Sequence, residues 1–251
     1  MMFKNRALAL FLSTTLALFV AVPAASALTV NLNIFRAENT NVIPAASLVG
    51  PAGGLGQTWN QRSTSTSVTP LLDALGNATT IGYTTTNLGG PDTWGNPALG
   101  ILRDGLRNFN TAPGNTQQLV INGLTPGDLF DVYLVSANML SGTGANAQRS
   151  NGQWSTTNAA ATVGAQSANN TLSLNGTTFV QGNNYVFFDN VVVNPAGQMI
   201  FNGFSINQAP TFDNRLPLNG FQLVSVIPEP ATATLGLLSV AGLMLRRRRE
   251  A

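Results

Sequence analysis

The sequence has no cysteine and no histidine. Without cysteine there is no disulfide and no thiolate nucleophile, so a secreted domain built from this chain must be held by its own core. Without histidine the commonest general base and the commonest zinc ligand are missing, and with them every Ser-His or Cys-His pairing. Charge is scarce too: Asp, Glu, Lys and Arg make up 9% of 251 residues. It is also unevenly placed. Lys4 and Arg6 lie near the start, and Arg246, Arg247, Arg248 and Arg249 near the end. Without them six basic residues remain, all arginine; without Glu229 and Glu250 eight acidic ones remain. The formal +2 of the whole chain thus becomes about −2 over Leu28–Val226. No basic patch is left there to meet phosphates, which argues against a nucleic-acid partner.

What is present begins with the two ends. Lys4 and Arg6 precede an apolar run, residues 7–22, and Pro23 then leads to Ala25-Ser26-Ala27. Positive region, apolar region and small-residue site in that order predict a secretory signal peptide over residues 1–27, with a mature chain starting at Leu28. The other end reads Pro228-Glu229-Pro230, then fifteen uncharged residues, 231–245, then the four arginines. As a helix the run spans about 22 Å, against a hydrocarbon core of about 30 Å. The arginines would stay on the cytoplasmic side. A marginal span of this kind suits a temporary hold better than a permanent anchor, and an ordinary C-terminal anchor is the alternative.

This ordered trio resembles the PEP-CTERM sorting signal of Gram-negative bacteria, over residues 227–251. The resemblance implies recognition by exosortase, a membrane transpeptidase-like protease, and cleavage near Pro228, Glu229 and Pro230. The chain would pass through the general secretion machinery, be tethered to the inner membrane by its C-terminal segment, and be delivered to the cell surface or extracellular matrix.

Between the ends, residues 28–226 read as one β domain. Residues 28–35 alternate, with Leu28, Val30, Leu32 and Ile34 on one face. Residues 79–86, 117–121 and 129–135 are further strand candidates; in the last, Phe130, Val132 and Leu134 oppose Asp131, Tyr133 and Val135. Residues 185–193 and 199–206 are predicted to form a hairpin across Pro195-Ala196-Gly197. Residues 221–226 are the last strand. Pro97 with Leu99, Leu102 and Leu106 at helical spacing predicts one short helix over residues 97–107, weakened by Gly100 and Gly105. Asn-Gly pairs at Asn122, Asn202 and Asn219 read as turns. Strands at this spacing predict an all-β fold, a β-sandwich or jelly roll, flanked by an N-terminal signal helix and a C-terminal transmembrane helix.

Gly123-Leu124-Thr125-Pro126-Gly127, the strand from Phe130 to Leu134, residues 185–193 and 218–223, and Thr58-Trp59-Asn60 resemble galactose-binding-domain-like and malectin-like jelly rolls. That resemblance implies a jelly-roll-like sandwich and, more weakly, polysaccharide binding. It also implies a structural calcium held by Asp, Asn and backbone oxygens, although no D-x-[DN]-x-[DN]-G loop exists to name ligands.

The chemistry open to such a domain is narrow. Its acids are Glu38, Asp73, Asp92, Asp104, Asp128, Asp131, Asp189 and Asp213, and nothing in their spacing pairs two of them at glycosidase separation. Asp73 and Asp128 sit by turns, and Asp131 and Asp189 on strand faces that read as exposed. Sugar rings stack on flat aromatic faces, for which Trp59, Tyr83, Trp94 and Trp154 are the candidates; the same rings could instead cap the core. Arg103 and Arg107 could reach an acidic sugar or simply face solvent. Three readings follow: a non-enzymatic surface or matrix module that binds exopolysaccharide, a carbohydrate-active hydrolase or lyase, and a purely structural biofilm protein.

Overall fold

In a computed structural model of the chain, the described residues are 27–35, 48–64, 66–67, 69–89, 91–93, 97–102, 104–106, 116–137, 149–162, 164–169, 178–205 and 214–226. Two compact units divide the chain, and Leu28–Val226 is the one that contains the sheets. The expected signal helix, the membrane helix and the whole sorting motif lie outside the described residues. Among the described residues no helix is long and apolar enough to cross a membrane.

The strands are β1 (Thr29–Ile34), β2 (Asn60–Arg62), β3 (Gly82–Thr86), β4 (Pro91–Thr93), β5 (Asp104–Leu106), β6 (Thr116–Asn122), β7 (Leu129–Val135), β8 (Arg149–Thr156), β9 (Gln166–Asn169), β10 (Tyr185–Val192), β11 (Met199–Ser205), β12 (Asn214–Arg215) and β13 (Gly220–Ser225). One sheet has the order β10-β7-β13-β1-β2. The second runs β12-β8-β11-β6-β3, with β9 paired to β8, and β4 and β5 form a small ribbon. Pairing is antiparallel except between β1 and β2 and between β12 and β8.

Alternation makes these strands. In β6, β7 and β11 every second side chain is buried, the period-2 pattern of a strand with one face on a core. Val30, Leu32, Phe130, Val132, Phe188 and Phe221 from the first sheet meet Tyr83, Leu119, Ile121, Trp154 and Phe201 from the second in one core. Tyr83 meets Phe221 edge-on, with centroids 6.0 Å apart, and Phe188 meets Phe201 at 5.2 Å. Each such ring, fully buried, contributes about 1.5–3 kcal/mol. The fold is an all-β sandwich.

Three local expectations are corrected. First, residues 185–193 and 199–206 do not form a hairpin: β10 pairs with β7 in one sheet, and β11 with β6 and β8 in the other. The turn between them is tight, since the Asn194 carboxamide oxygen accepts from the backbone N–H groups of Ala196 and Gln198, both at 3.0 Å. The strands then part because the Asn158 carboxamide stands between them. Its Nδ2 donates to Val192 O (2.8 Å) and Gln198 O (2.9 Å), and its Oδ1 accepts from Ile200 N–H (2.9 Å). Backbone groups that would pair in a hairpin are thereby satisfied while the chain crosses between sheets.

Second, the predicted helix stops early. Pro97–Leu102 is a 3-10 turn broken at Gly100 (φ 56°, ψ −132°), and Asp104–Leu106 is strand. Leu106 exchanges both backbone hydrogen bonds with Leu218, at 2.9 and 2.8 Å, so a tertiary bridge overrides a weak local pattern. Third, of the three Asn-Gly pairs only Asn122-Gly123 changes the chain's direction, ending β6 in a bend with Gly123 at φ 77°. Asn202-Gly203 lies inside β11. Asn219 is buried, with its Nδ2 donating to Asp104 O at 2.8 Å and its Oδ1 accepting from Ala137 N–H at 2.7 Å.

Candidate functional site

The outer face of the five-stranded sheet has three rows set by register. The middle row is Phe187, Tyr133, Gln222 and Asn31, on β10, β7, β13 and β1. On one side Tyr185 pairs with Val135; on the other Asp131 pairs with Val224. Half of this face is covered. Gln222 is buried; its Nε2 donates to Asn31 Oδ1 (2.8 Å) and Gly53 O (3.2 Å), and its Oε1 accepts from Ala52 N–H (2.9 Å). Asn31 Nδ2 in turn donates to Gln57 Oε1 at 3.0 Å and Thr58 O at 3.2 Å. These amides strap the 50–58 loop across β13 and β1. Gly50 is required beneath it, because a Cβ there would fall 2.2 Å from the Gln222 amide oxygen.

The β7–β10 pair is the more open half among the described residues, although Val135 at its end is buried. Tyr133 and Phe187 are cross-strand partners with ring centroids 4.7 Å apart and planes at 36°. Tyr185, two residues along the same face, lies 6.2 Å from Tyr133, and Phe179 meets Tyr185 edge-on at 6.5 Å. All four are half-buried, so part of each ring reaches solvent. A few residues further along, Asp131 and Asp189 close the strip. From Asp189 to Tyr185 it measures about 13 Å at the ordinary strand rise.

The two carboxyls are brought together by a β-bulge. Register shifts between Phe188 and Val191, so Asp189 and Asn190 stand opposite Asp131. Asn190 takes φ 52°, a left-handed conformation that Asn tolerates better than most residues. Its backbone N–H donates to Asp131 Oδ1 (3.1 Å) and its Nδ2 to Asp189 Oδ1 (2.6 Å), while Asp189 N–H donates to Thr162 Oγ1 (2.9 Å). Partial burial pushes the Asp131 carboxyl above the usual range. The Asn190 N–H opposes that, and the hydrogen bond and charge of Asp189 add to it. Burial, then the charge of Asp131, also raises the Tyr133 phenol. Asp131 and Asp189 thus lie on the outer strand face as expected, partly buried, and the bulge sets them opposite each other.

Trp59 and Trp154 fall elsewhere. Trp154 is fully buried in the main core, its Nε1 donating to Ser136 Oγ at 3.3 Å. Trp59 is 4% exposed and donates to Gly54 O at 3.0 Å. Neither offers a ring face to a sugar, which corrects both expectations. A Trp ring is the largest apolar body available, and here the sheets and the 50–58 loop close around it. Trp59 belongs to a second small cluster with Leu48, Ile101, Leu102, Val135 and Ala137, against which Tyr185 and Phe179 pack. It thus packs beside one end of the aromatic strip, on the same outer face. Tyr83 is buried as well, donating its hydroxyl to Thr64 O at 2.8 Å, and its phenol is pushed up to about 12 by burial. Trp94, Arg103 and Arg107 lie outside the described residues.

An open pocket of about 430 Å³ lies at one end of the sandwich, lined in part by Leu28, Asp73, Thr80, Leu124 and Asp128. Asp73 is spent on its own turn: Oδ1 accepts from the Leu75 and Asn77 N–H groups and Oδ2 from Asn77 Nδ2. Slight burial raises it, but these bonds together hold it below the usual range, which unsuits it as an acid. Among the described residues no three acidic side chains converge, so no calcium cage can be named from them.

No family model and no curated protein matches the sequence. A crystal structure of the plant receptor-like kinase ANX2 matches with a TM-score of 0.44 at 9% identity, over 80% of this chain and 48% of that one. The chain spans about half the length of that protein, and so distant a likeness carries no argument.

Proposed function

We propose that the protein is an exported, non-catalytic surface or matrix module that binds polysaccharide on the β7–β10 face of a jelly-roll-like sandwich. The observation that carries this reading is the half-exposed strip Tyr133–Phe187–Tyr185. Flat rings in a row on a rigid sheet can meet the apolar faces of successive sugar units without a closed pocket. Rigid strands position them better than loops would. The resemblance to exosortase substrates supports export and sorting through Pro228, Glu229, Pro230 and the four terminal arginines. It also supports tethering to the inner membrane before release to the surface or extracellular matrix.

A hydrolase reading gains nothing from Asp131 and Asp189. Each is already engaged by Asn190, Asp131 by the backbone N–H and Asp189 by the carboxamide Nδ2. The test is a glycan array probed with the full chain, with sugar release assayed in parallel. Retention on polysaccharide without release of sugar is expected. Retention on none would overturn the binding reading in favour of a purely structural protein, and release of sugar would overturn the non-catalytic one.

A further inference from the structure

The aromatic strip and the carboxyl pair share one face, and the pair makes that face acidic. Asp131 and Asp189 sit in line with Tyr133 and Phe187, two residues away along each strand, so a sugar stacked on those rings would have its neighbouring substituents beside the carboxyls. Among the described residues no basic side chain bonds either carboxyl. Each carboxyl is bonded by Asn190, which is not basic. The sequence of Leu28–Val226 contains no lysine at all. A half-buried pair of acids facing solvent disfavours an acidic glycan, because like charges brought together there repel. A protonated amine would satisfy both carboxyls at once, and aromatic faces favour a cation beside them.

We propose, resting on the glycan-binding reading, that this face selects amino-sugar polymers carrying free, protonated amines, with the sugar ring stacked on Tyr133 and Phe187 and the ammonium bound between Asp131 and Asp189. N-acetylation would remove the charge and the selectivity while leaving the stacking surface.

The test uses the full chain in a detergent without a sugar headgroup. Calorimetry compares a glucosamine hexamer, its fully N-acetylated counterpart, a glucose hexamer of the same linkage, and hexalysine. The glucosamine hexamer should bind roughly tenfold tighter than the two uncharged hexamers, the scale of one favourable charge contact. That preference should collapse in Asp131→Asn, which keeps an oxygen for the Asn190 N–H, with the residual affinity for uncharged hexamers intact. Equal affinity for the three sugars would overturn the selectivity and leave glycan binding standing. Hexalysine binding as tightly as the glucosamine hexamer would show charge recognition without the sugar and overturn it as well. Binding to no sugar hexamer would overturn this proposal and the reading beneath it together. The wild-type comparison needs no variant, so it decides the matter even if Asp131→Asn folds poorly.

Discussion

At the scale of single residues, this domain is held by side-chain amides where other domains use disulfides. Asn158, Asn219 and Gln222 each bond backbone groups far away in sequence, and Asn31 and Asn60 extend the same network to the 57–58 segment and Leu72. A neutral amide can donate and accept at once, and costs less to bury than a charge. Asn158→Ala should therefore destabilise the protein by about 2–4 kcal/mol, since three backbone groups lose their partner; urea unfolding measures it. Asp131 makes a second prediction. Its folded-state affinity for a proton exceeds that of an ordinary Asp, so its contribution favours the folded state at low pH. That contribution is lost as pH rises from the usual carboxylate range through the raised value. Asp189, with Tyr133 beside it, is the group it ionises against. Asp131→Asn should flatten that decline, with a gain above the range of no more than about 1 kcal/mol, because a half-exposed pair is screened by solvent. Thermal unfolding followed across pH in both proteins checks the sign.

At the scale of elements, alternation was legible and partnership was not. The strands 129–135 and 185–193 were readable from their period, including the split of Phe130, Val132 and Leu134 from Asp131 and Tyr133. That β10 lies beside β7 was not, because the two are separated by β8 and β9, which belong to the other sheet. The site missed in the sequence is a product of that long-range register: Tyr133 meets Phe187, and Asp131 meets Asp189 through a bulge no local pattern announces. Tryptophans drew attention as the largest rings, but size also makes them the most profitable to bury, and Trp154 is wholly inside. The hairpin expected at Pro195 failed for a similar reason. A turn fixes local direction, whereas Asn158, forty residues back from Gln198, decides which sheet the next strand joins. Glycine placement makes a prediction at this scale. At Gly220 a Cβ would lie 2.0 Å from Leu32 O. Gly220→Ala must push β13 from β1 and should cost at least about 3 kcal/mol, read as a lowered denaturant midpoint.

For the whole molecule, the ends and the domain answer different questions. The apparent basic character of the chain comes from Lys4, Arg6 and the terminal arginines, while the domain between them is slightly acidic. Replacing Pro228, Glu229 and Pro230 with alanine should block processing, so that full-length protein accumulates in the membrane fraction on an immunoblot. Unchanged processing and delivery would favour a simple anchor. The central claim is that polysaccharide meets the protein on the β7–β10 face. It is tested most directly by affinity electrophoresis of the full chain and Tyr133→Ala in gels containing the binding polysaccharide. Tyr133 packs on Phe187 and Tyr185, so its loss should lower the unfolding midpoint, and the gels are run well below both midpoints. The account predicts that wild type is retarded and that Tyr133→Ala migrates as it does in a plain gel. Equal retardation of the two proteins would contradict it.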